Sequence, residues 1–283
     1  MAAPETERPL ERAREQAREQ ALDGRTPREE AIPRLFDTEG GRLHQLALRF
    51  CGNPDDAQDL VQEVFLQAWR DWSGFDGRAK PSTWLYSIAW RTCQRFHKKR
   101  AGEPDHLESL DELLPFGEGR IKCAPGDDDR SPEAAATRSE ARQRAEVAIA
   151  GLADDFRVPF ILKELVGLSV EDVGAVLGLP ENTVKTRLHR ARLKVRKALE
   201  EALSEKAVPP PRFDRQVCLD LLEAKQDALD RGVPFEFPKG VVCEFCAEVF
   251  ATLDLVDTTC ADLARSEVPP DLRRRVEALL RAT

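Results

Sequence analysis

The sequence predicts an all-α protein, and three observations support this fold class. Charged residues make up 33% of the 283 residues and aromatic residues only 6%. Runs of β-branched residues are few, which favours amphipathic helices over sheets. Apolar residues recur at helical spacing over residues 31 to 100 and again over residues 139 to 203.

Composition divides the chain into five segments. Residues 1–28 are polar and charged, and we interpret them as a mobile arm. Residues 29–100 and 139–205 carry the helical periodicity, while residues 101–138 are acidic and rich in proline and glycine, which predicts a linker. A run of three prolines at 209–211 precedes a final segment, residues 212–283, which contains four of the seven cysteines.

Local charge indicates a nucleic-acid partner, although the net charge is −8. One basic run, from Arg91 to Arg100, contains no acidic residue, and neither does a second from Lys185 to Lys197. Phosphate binding depends on the potential of a face rather than on the charge of the whole chain. The sequence therefore predicts two separate basic faces.

Several function classes are disfavoured. No stretch approaches the roughly eighteen apolar residues that a membrane span needs, and the charged N-terminus lacks a signal-peptide core. We therefore expect a cytoplasmic protein without membrane contact. The four histidines lie near no nucleophile motif, and there is no glycine-rich phosphate loop or paired carboxylate site, so we expect no enzymatic activity.

A helix-turn-helix is predicted over residues 167–199. Ser169 is suited to cap a first helix, Gly178 to end it in a left-handed conformation, and Pro180 to begin a second helix. Apolar positions pack the corner and leave polar and basic residues facing outwards. Such a helix suits the major groove, where side chains reach base edges and phosphates together; its candidate DNA-binding residues are Asn182, Thr183, Lys185, Arg187 and Arg190.

The first helical domain has features that a simple repressor would not need. Asp55, Asp56, Asp59, Gln62 and Glu63 form an acidic, amide-bearing helix face, which suits a basic protein partner. A loop with Gly77 and Pro81 follows, and then a helix with aromatic residues beside arginine and lysine. Aromatic and basic side chains together suit unstacked bases of single-stranded DNA.

These motifs resemble regions two and four of extracytoplasmic-function (ECF) RNA polymerase sigma factors. The segments DDAQDLVQEVFLQAW, PSTWLYSIAWRTCQRFHKKR and LPENTVKTRLHRARLKVRKAL occur in the family's order, with the acidic linker before the third. The resemblance covers residues 28–203. It implies a promoter-recognition subunit that binds bacterial core RNA polymerase and promoter DNA.

The resemblance also implies residue roles. A face of Asp56, Asp59, Gln62, Glu63 and Phe65 would bind the clamp helices of the polymerase's largest subunit. The loop at 75–82 and the following helix would hold the melted minus-ten element, with Trp84, Arg91, Arg95, Lys98 and Lys99 contacting DNA. The helix-turn-helix residues would read the minus-thirty-five element. The sigma domains would need no cofactor.

The C-terminal cysteine segment resembles the zinc-binding domain of anti-sigma factors. A cysteine in a first helix, a Cys-x-x-Cys opening a second helix and a late PPDLRRRV segment carry this resemblance, but Lys239 stands where that domain has a histidine. We expect Cys218, Cys243, Cys246 and Cys260 to bind zinc or another thiophilic metal. Thiol oxidation and simple burial of the cysteines are the alternatives. The expected role of the segment is regulation of the sigma domains in cis.

Two other readings stay open. A free-standing helix-turn-helix regulator that senses metal or redox state would share the DNA-binding helix, and co-purification with core polymerase separates it from a sigma factor. A separate anti-sigma factor is a further candidate partner.

Overall fold

The structure is a computed structural model that describes residues 22–97, 113–114, 120–123, 131–201, 203–236, 240–264 and 267–282. Its helices in chain order are α1 (Arg28–Cys51), α2 (Pro54–Asp71), α3 (Pro81–His97), α4 (Pro132–Ala150), α5 (Asp154–Phe160), α6 (Val170–Leu177), α7 (Glu181–Glu200), α8 (Arg215–Arg231), α9 (Glu244–Ala264) and α10 (Pro270–Ala282). The prediction of an all-α protein is confirmed. Within the described ranges, no helix has the length and apolar character needed to cross a membrane.

The structure adds one short sheet to the helices. Strands β1 (Arg120–Cys123) and β2 (Ser204–Ala207) pair antiparallel, with Arg120 opposite Ala207. β1 lies inside the predicted linker, and α4 also begins within it, at Pro132. Part of the segment at 101–138 is therefore ordered by pairing with residues that follow α7, a long-range contact that local periodicity does not reveal.

The chain divides into two compact units. The first contains the described residues within 1–102, 175–178 and 265–283, and the second those within 103–174 and 179–264. The C-terminal segment is thus shared: α8 and α9 fold with the second unit and α10 with the first. This differs from the single C-terminal domain expected over residues 212–283.

In the first unit, α1, α2 and α3 pack around a common core. Gly52, with φ of 73°, ends α1, and the Asn53 side chain caps α2 by accepting a hydrogen bond from the backbone N of Asp56 at 2.8 Å. Pro54 follows in the first turn, where its missing N–H leaves no donor unsatisfied. The N-terminal end of α2 is therefore specified locally by the sequence Asn-Pro.

Helix α10 completes the first unit by packing against α1 and α2. Leu272 and Val276 are buried on its inner face. Arg273 pairs with Asp37 of α1 at 2.6 Å, and its guanidinium lies over the ring of Phe36, 5.3 Å from the ring centroid. An amphipathic helix with two buried apolar residues and an ion pair at its edge is a specific contact rather than a loose tail.

In the second unit, α7 packs against α4, α5 and α9. α5 continues through a π-helical turn, Ile161–Val166, which ends at Gly167 with φ of 88°. Leu193 of α7 lies in one apolar cluster with Leu222 of α8 and with Val249 and Phe250 of α9. The recognition helix and the cysteine segment therefore share a core.

Candidate nucleic-acid and protein interfaces

The predicted helix-turn-helix is confirmed in its local geometry. Ser169 Oγ accepts from the backbone N of Asp172 at 3.0 Å and donates to its carboxylate at 2.6 Å, which caps α6. Gly178 has φ of 69°, the left-handed conformation that ends the helix. The carbonyl of Pro180 accepts from the backbone N of Thr183 at 2.9 Å, so the proline stands just before α7 rather than within it.

The predicted DNA-reading residues lie on the first turns of α7. Val184 and Leu188 are fully buried on the inner side of the helix. Asn182 is exposed, and the side chains of Thr183, Lys185, Arg187 and Arg190 are half-buried. Arg187 pairs with Asp155 of α5 at 3.2 Å. The face has the amide, hydroxyl and cationic groups that a major-groove reader uses.

The basic run on α7 does not form a single face. Arg192 and Arg196 are each only 2% exposed, and both are held by carboxylates. Arg192 donates through Nε and Nη2 to Glu164 Oε1 at 2.9 and 2.7 Å, and Arg196 pairs with Glu200 at 2.5 Å. A run of basic residues on a helix necessarily reaches all sides of it, so these two arginines turn inwards.

Helix α8 places two carboxylates on α7, a contact that the sequence analysis missed. Lys185 Nζ lies 3.2 Å from Asp227 Oδ1, and Arg192 Nη1 donates to Asp230 Oδ1 at 2.6 Å. The second oxygen of Asp230 lies 3.3 Å from His189 Nε2. His189, Asp227 and Asp230 bring ligand atoms within 4.8 Å of one another, but Lys185 and Arg192 already neutralise both carboxylates.

The predicted polymerase-binding residues lie on α2, and one of them is corrected. Asp59 is exposed, and Gln62 and Glu63 are half-buried. Asp56 takes part in the cap, accepting from the Asn53 amide at 2.5 Å. Phe65 is 0% exposed and packs edge-on against Phe36, with ring centroids 4.9 Å apart. It lies on the apolar stripe of α2 and belongs to the core instead of the binding face.

The aromatic residues of the predicted single-strand region form a cluster at the start of α3. Trp84 is half-buried and packs against Trp72 and Phe75, with centroid distances of 5.6 and 5.5 Å. Trp72 Nε1 donates to the carbonyl of Thr26 at 2.7 Å. Tyr86 is buried, and its hydroxyl donates to Glu39 Oε2 at 2.8 Å. Trp84 therefore presents only part of its ring outwards, and Tyr86 is a core residue.

The basic end of α3 is partly described. Arg91 and Arg95 are exposed, and Arg95 Nη2 donates to Gln67 Oε1 at 3.2 Å and to Thr92 Oγ1 at 3.0 Å. The other two predicted phosphate-binding residues, Lys98 and Lys99, lie outside the described residues.

Cys246 contacts two other cysteines of the second unit. The thiols of Cys218 on α8 and Cys246 on α9 are 3.7 Å apart, and Cys246 also hydrogen-bonds with Cys243. A tetrahedral zinc with Zn–S bonds of about 2.3 Å places its sulfurs about 3.8 Å apart. The spacing of Cys218 and Cys246 therefore fits one edge of a thiolate site. Lys239, which stands in place of the expected histidine, lies outside the described residues.

The thiols differ in acidity. Burial raises the pKa of Cys246, and hydrogen bonds with the neighbouring thiols raise it further. Burial also acts to raise the pKa of Cys243, but backbone hydrogen bonds at Arg212, Cys246 and Phe245 outweigh it, so the pKa of Cys243 is lowered. Of Cys243 and Cys246, Cys243 therefore becomes a thiolate more readily.

The structure corrects the assignment of Cys260 to the same site. Cys246 and Cys260 both lie on α9, fourteen residues apart. At a rise of 1.5 Å per residue, that separation is about 21 Å along the helix axis. Cys260 is fully buried there, so it cannot share one metal ion with Cys246.

Comparisons with known proteins match this arrangement of parts. The family model for sigma-70 region 2 matches residues 35–103, and the model for sigma-70 region 4 matches residues 142–195. The chain is 34% identical over 175 residues to the ECF RNA polymerase sigma factor SigW of Bacillus subtilis, covering 61% of this chain and 91% of that relative. It is 36% identical over 160 residues to the RNA polymerase sigma-H factor of Pseudomonas aeruginosa, covering 56% and 81%.

Among solved structures, CnrH in complex with the cytosolic domain of CnrY matches with a TM-score of 0.45 and 24% identity, over 66% of this chain and 99% of that one. This overall similarity is too low to bear on function.

The fold and its surfaces define a class of protein, a helical transcription factor with two regions. One region carries an acidic helix face and the other a helix-turn-helix. The chain belongs to the ECF family of RNA polymerase sigma factors. The region 4 match ends at residue 195, so neither model includes α8, α9 or α10.

Proposed function

We propose that this sigma factor recruits core RNA polymerase through α2 and reads promoter DNA through α3 and α7. The observation that carries the proposal is α7: a capped helix-turn-helix presents Asn182, Lys185 and Arg190 on its outer side while Val184 and Leu188 hold its inner side. Base-reading groups on the first turns of the second helix are what major-groove recognition requires.

Genome-wide run-off transcription tests DNA recognition without a known promoter. Core polymerase of the source organism would be combined with the chain on fragmented genomic DNA, and transcripts would be sequenced. We expect Arg190→Ala to reduce specific transcripts about tenfold or more, since one good base contact contributes about 1–3 kcal/mol. The matched control is Arg142→Ala, an exposed arginine on α4. Equal loss in both variants would contradict the assignment.

Co-purification tests the polymerase-binding face separately. Charge reversal at Glu63 should weaken retention of core polymerase, because an acidic face that meets a basic partner is replaced by a repulsive one. Glu146→Arg, an exposed residue of α4, is the matched control. If wild type binds duplex DNA but never core polymerase, the alternative of a free-standing helix-turn-helix regulator is correct instead.

We also propose that the cysteine segment binds zinc or another thiophilic metal through Cys218, Cys243 and Cys246, and that it regulates the sigma domains in cis. Support comes from the 3.7 Å spacing of two thiols, the lowered pKa of Cys243 and the resemblance to the zinc-binding domain of anti-sigma factors. Three thiolates leave a fourth position for another ligand. Thiol oxidation is the rival reading, because the same thiols lie close enough to react.

Metal analysis of the purified full chain tests this part. About one zinc per chain is expected in wild type and a strong reduction in Cys243→Ser, with Cys93→Ser in the first unit as the control. Metal-free wild type that gains a disulfide on mild peroxide treatment would favour the redox reading. Run-off output that does not change with metal or oxidant would contradict regulation through these thiols.

A further inference from the structure

The acidic face of α8 fits the cationic stripe of the recognition helix. Lys185, His189 and Arg192 are spaced at i, i+4 and i+7 on α7, so they follow one side of the helix. Asp227 and Asp230 are spaced at i and i+3 on α8, and each meets a cation of that stripe. We propose that α8 occupies the place of the DNA phosphate backbone on α7 and so masks promoter recognition until it leaves. This inference deepens the proposed function and rests on it.

The Arg192 contact shows how the masking works. Glu164, in the π-helical turn that precedes the helix-turn-helix, accepts from Nε and Nη2 of the guanidinium. The remaining Nη1 donates to Asp230 of α8. Without α8, Glu164 would still orient the guanidinium while one edge lost its anionic partner. A phosphate oxygen is the same kind of acceptor as a carboxylate oxygen, and both prefer arginine in this geometry.

The same cations cannot serve both partners at once. Lys185 is 36% exposed beside Asp227, and Arg192 is 2% exposed beneath Asp230. With α8 in place, a phosphate could reach Arg192 only by displacing Asp230. DNA binding depends on the number of phosphates that the protein neutralises, so engagement of these cations lowers affinity for any sequence.

An apolar contact below the ion pairs holds α8 in this position. Leu193 of α7 shares a buried cluster with Cys218 and Leu222 of α8 and with Cys246 and Phe250 of α9. The thiols therefore lie in the same core that seats α8 on the recognition helix. A chemical change at Cys218 or Cys246 would disturb this apolar contact between α8 and α7. The state of the thiols is thereby coupled to the release of α7 from α8.

Binding of the full chain to a fluorescein-labelled 25-base-pair duplex of mixed sequence tests the masking, because it requires no known promoter. The variants are Asp227→Asn, Asp230→Asn and the double substitution, and the readout is fluorescence anisotropy. The matched control is Glu223→Gln, which removes one charge from an exposed position on the same helix. This control corrects for the general effect of a less negative chain.

Removing the carboxylates should tighten duplex binding. We expect a gain of about two- to fivefold for Asp227→Asn, a partly exposed pair, and about tenfold or more for the double variant, which also loses the buried pair. The salt dependence should become steeper. In wild type, salt weakens the α8 contact as well as the DNA contact, and this partly compensates the loss of DNA binding.

The masking would be overturned if the dissociation constant for the duplex is unchanged in Asp227→Asn and in the double variant. It would also be overturned if their gain in duplex affinity is no larger than that of Glu223→Gln. Asp227→Asn alone keeps the test valid if Asp230→Asn unfolds, which a thermal melt would show. Retained binding to core polymerase with no gain in duplex affinity would reject only the masking. If neither wild type nor any variant binds the duplex or core polymerase, the proposed function is rejected as well.

Discussion

Arg192 and Asp230 form a buried ion pair between the recognition helix and α8, with Nη1 and Oδ1 2.6 Å apart and side chains only 2% and 1% exposed. Burial alone would raise the pKa of Asp230. The hydrogen bonds and positive charges of His189 and Arg192 outweigh it, so the pKa of Asp230 is lowered. The folded protein therefore binds a proton at this carboxyl less readily than the unfolded chain does.

The first prediction concerns the pH dependence of this pair. A carboxyl with a lowered folded pKa contributes stability above the unfolded value of about 3.9, and that stability is lost as pH falls through the folded value. At pH 7, Asp230→Asn should lower the free energy of unfolding by about 1–3 kcal/mol. Urea melts between pH 7 and pH 3 should show this difference shrinking only below about pH 4. A difference that is constant over the whole range would contradict the assignment.

The second prediction concerns the cap of α6. Ser169→Ala removes the acceptor for the backbone N of Asp172 and should cost about 1 kcal/mol of stability. Ser169→Asp keeps an acceptor at the same position and should stay close to wild type. Urea unfolding of the two variants decides the point, and equal destabilisation by both would argue against a capping role.

The third prediction concerns the turn of the helix-turn-helix. Gly178 adopts a φ of 69°, where a Cβ atom costs about 1–2 kcal/mol. Gly178→Ala should therefore lower the melting temperature, while Gly178→Asn should lower it less, since asparagine tolerates the left-handed region. No heavy atom lies within 4 Å of a Cβ built at this glycine, so crowding does not contribute. Equal melting temperatures for the two variants would contradict this account.

The fourth prediction concerns the core of the first unit. Tyr86→Phe removes the hydroxyl that donates to the buried carboxylate of Glu39 and should cost about 1–3 kcal/mol. Glu39 keeps its pairing with Arg42 at 3.1 Å. A double-mutant cycle with Glu39→Gln should show a coupling energy of at least 0.5 kcal/mol, roughly the lower bound for residues in contact. Simple additivity would mean that the hydrogen bond contributes nothing.

The fifth prediction concerns thiol reactivity in metal-free protein. Cys243 is half-exposed and has a lowered pKa, whereas burial and the neighbouring Cys51 raise the pKa of Cys93 to about 12. Iodoacetamide at pH 7.5 should therefore modify Cys243 well before Cys93, because the thiolate is the reactive species. Mass spectrometry of peptides over time measures the order. Added zinc should protect Cys243 if it is a ligand.

Local signals predicted the helix-turn-helix well. Ser169, Gly178 and Pro180 act on their own backbone, and each stands at the helix end that its chemistry favours. The acidic face of α2 could also be read from helical periodicity. That periodicity placed Phe65 on the apolar stripe with Val61 and Val64, so its burial was predictable without the family resemblance.

Long-range contacts could not be read in the same way. The pairing of Asp227 with Lys185 joins residues 42 positions apart, and no local sequence pattern predicts it. The sequence grouped four cysteines, and the structure brings Cys246 into contact with Cys218 and Cys243 but leaves Cys260 apart. Spacing in the sequence does not show whether two cysteines lie on one straight helix or are brought back together by a turn, and α9 continues unbroken between Cys246 and Cys260.

The packing of α10 in the first unit has a consequence for the order of folding during synthesis. Arg273 and Asp37 are 236 residues apart, so the ribosome completes all other described helices before this contact can form. Until then, the surface on which Leu272 and Val276 pack stays uncovered in the nascent chain. The entropic cost of closing so long a loop grows only slowly with its length. The delay therefore affects the timing of folding more than the final stability. The first unit reaches its full form only after α10 is made.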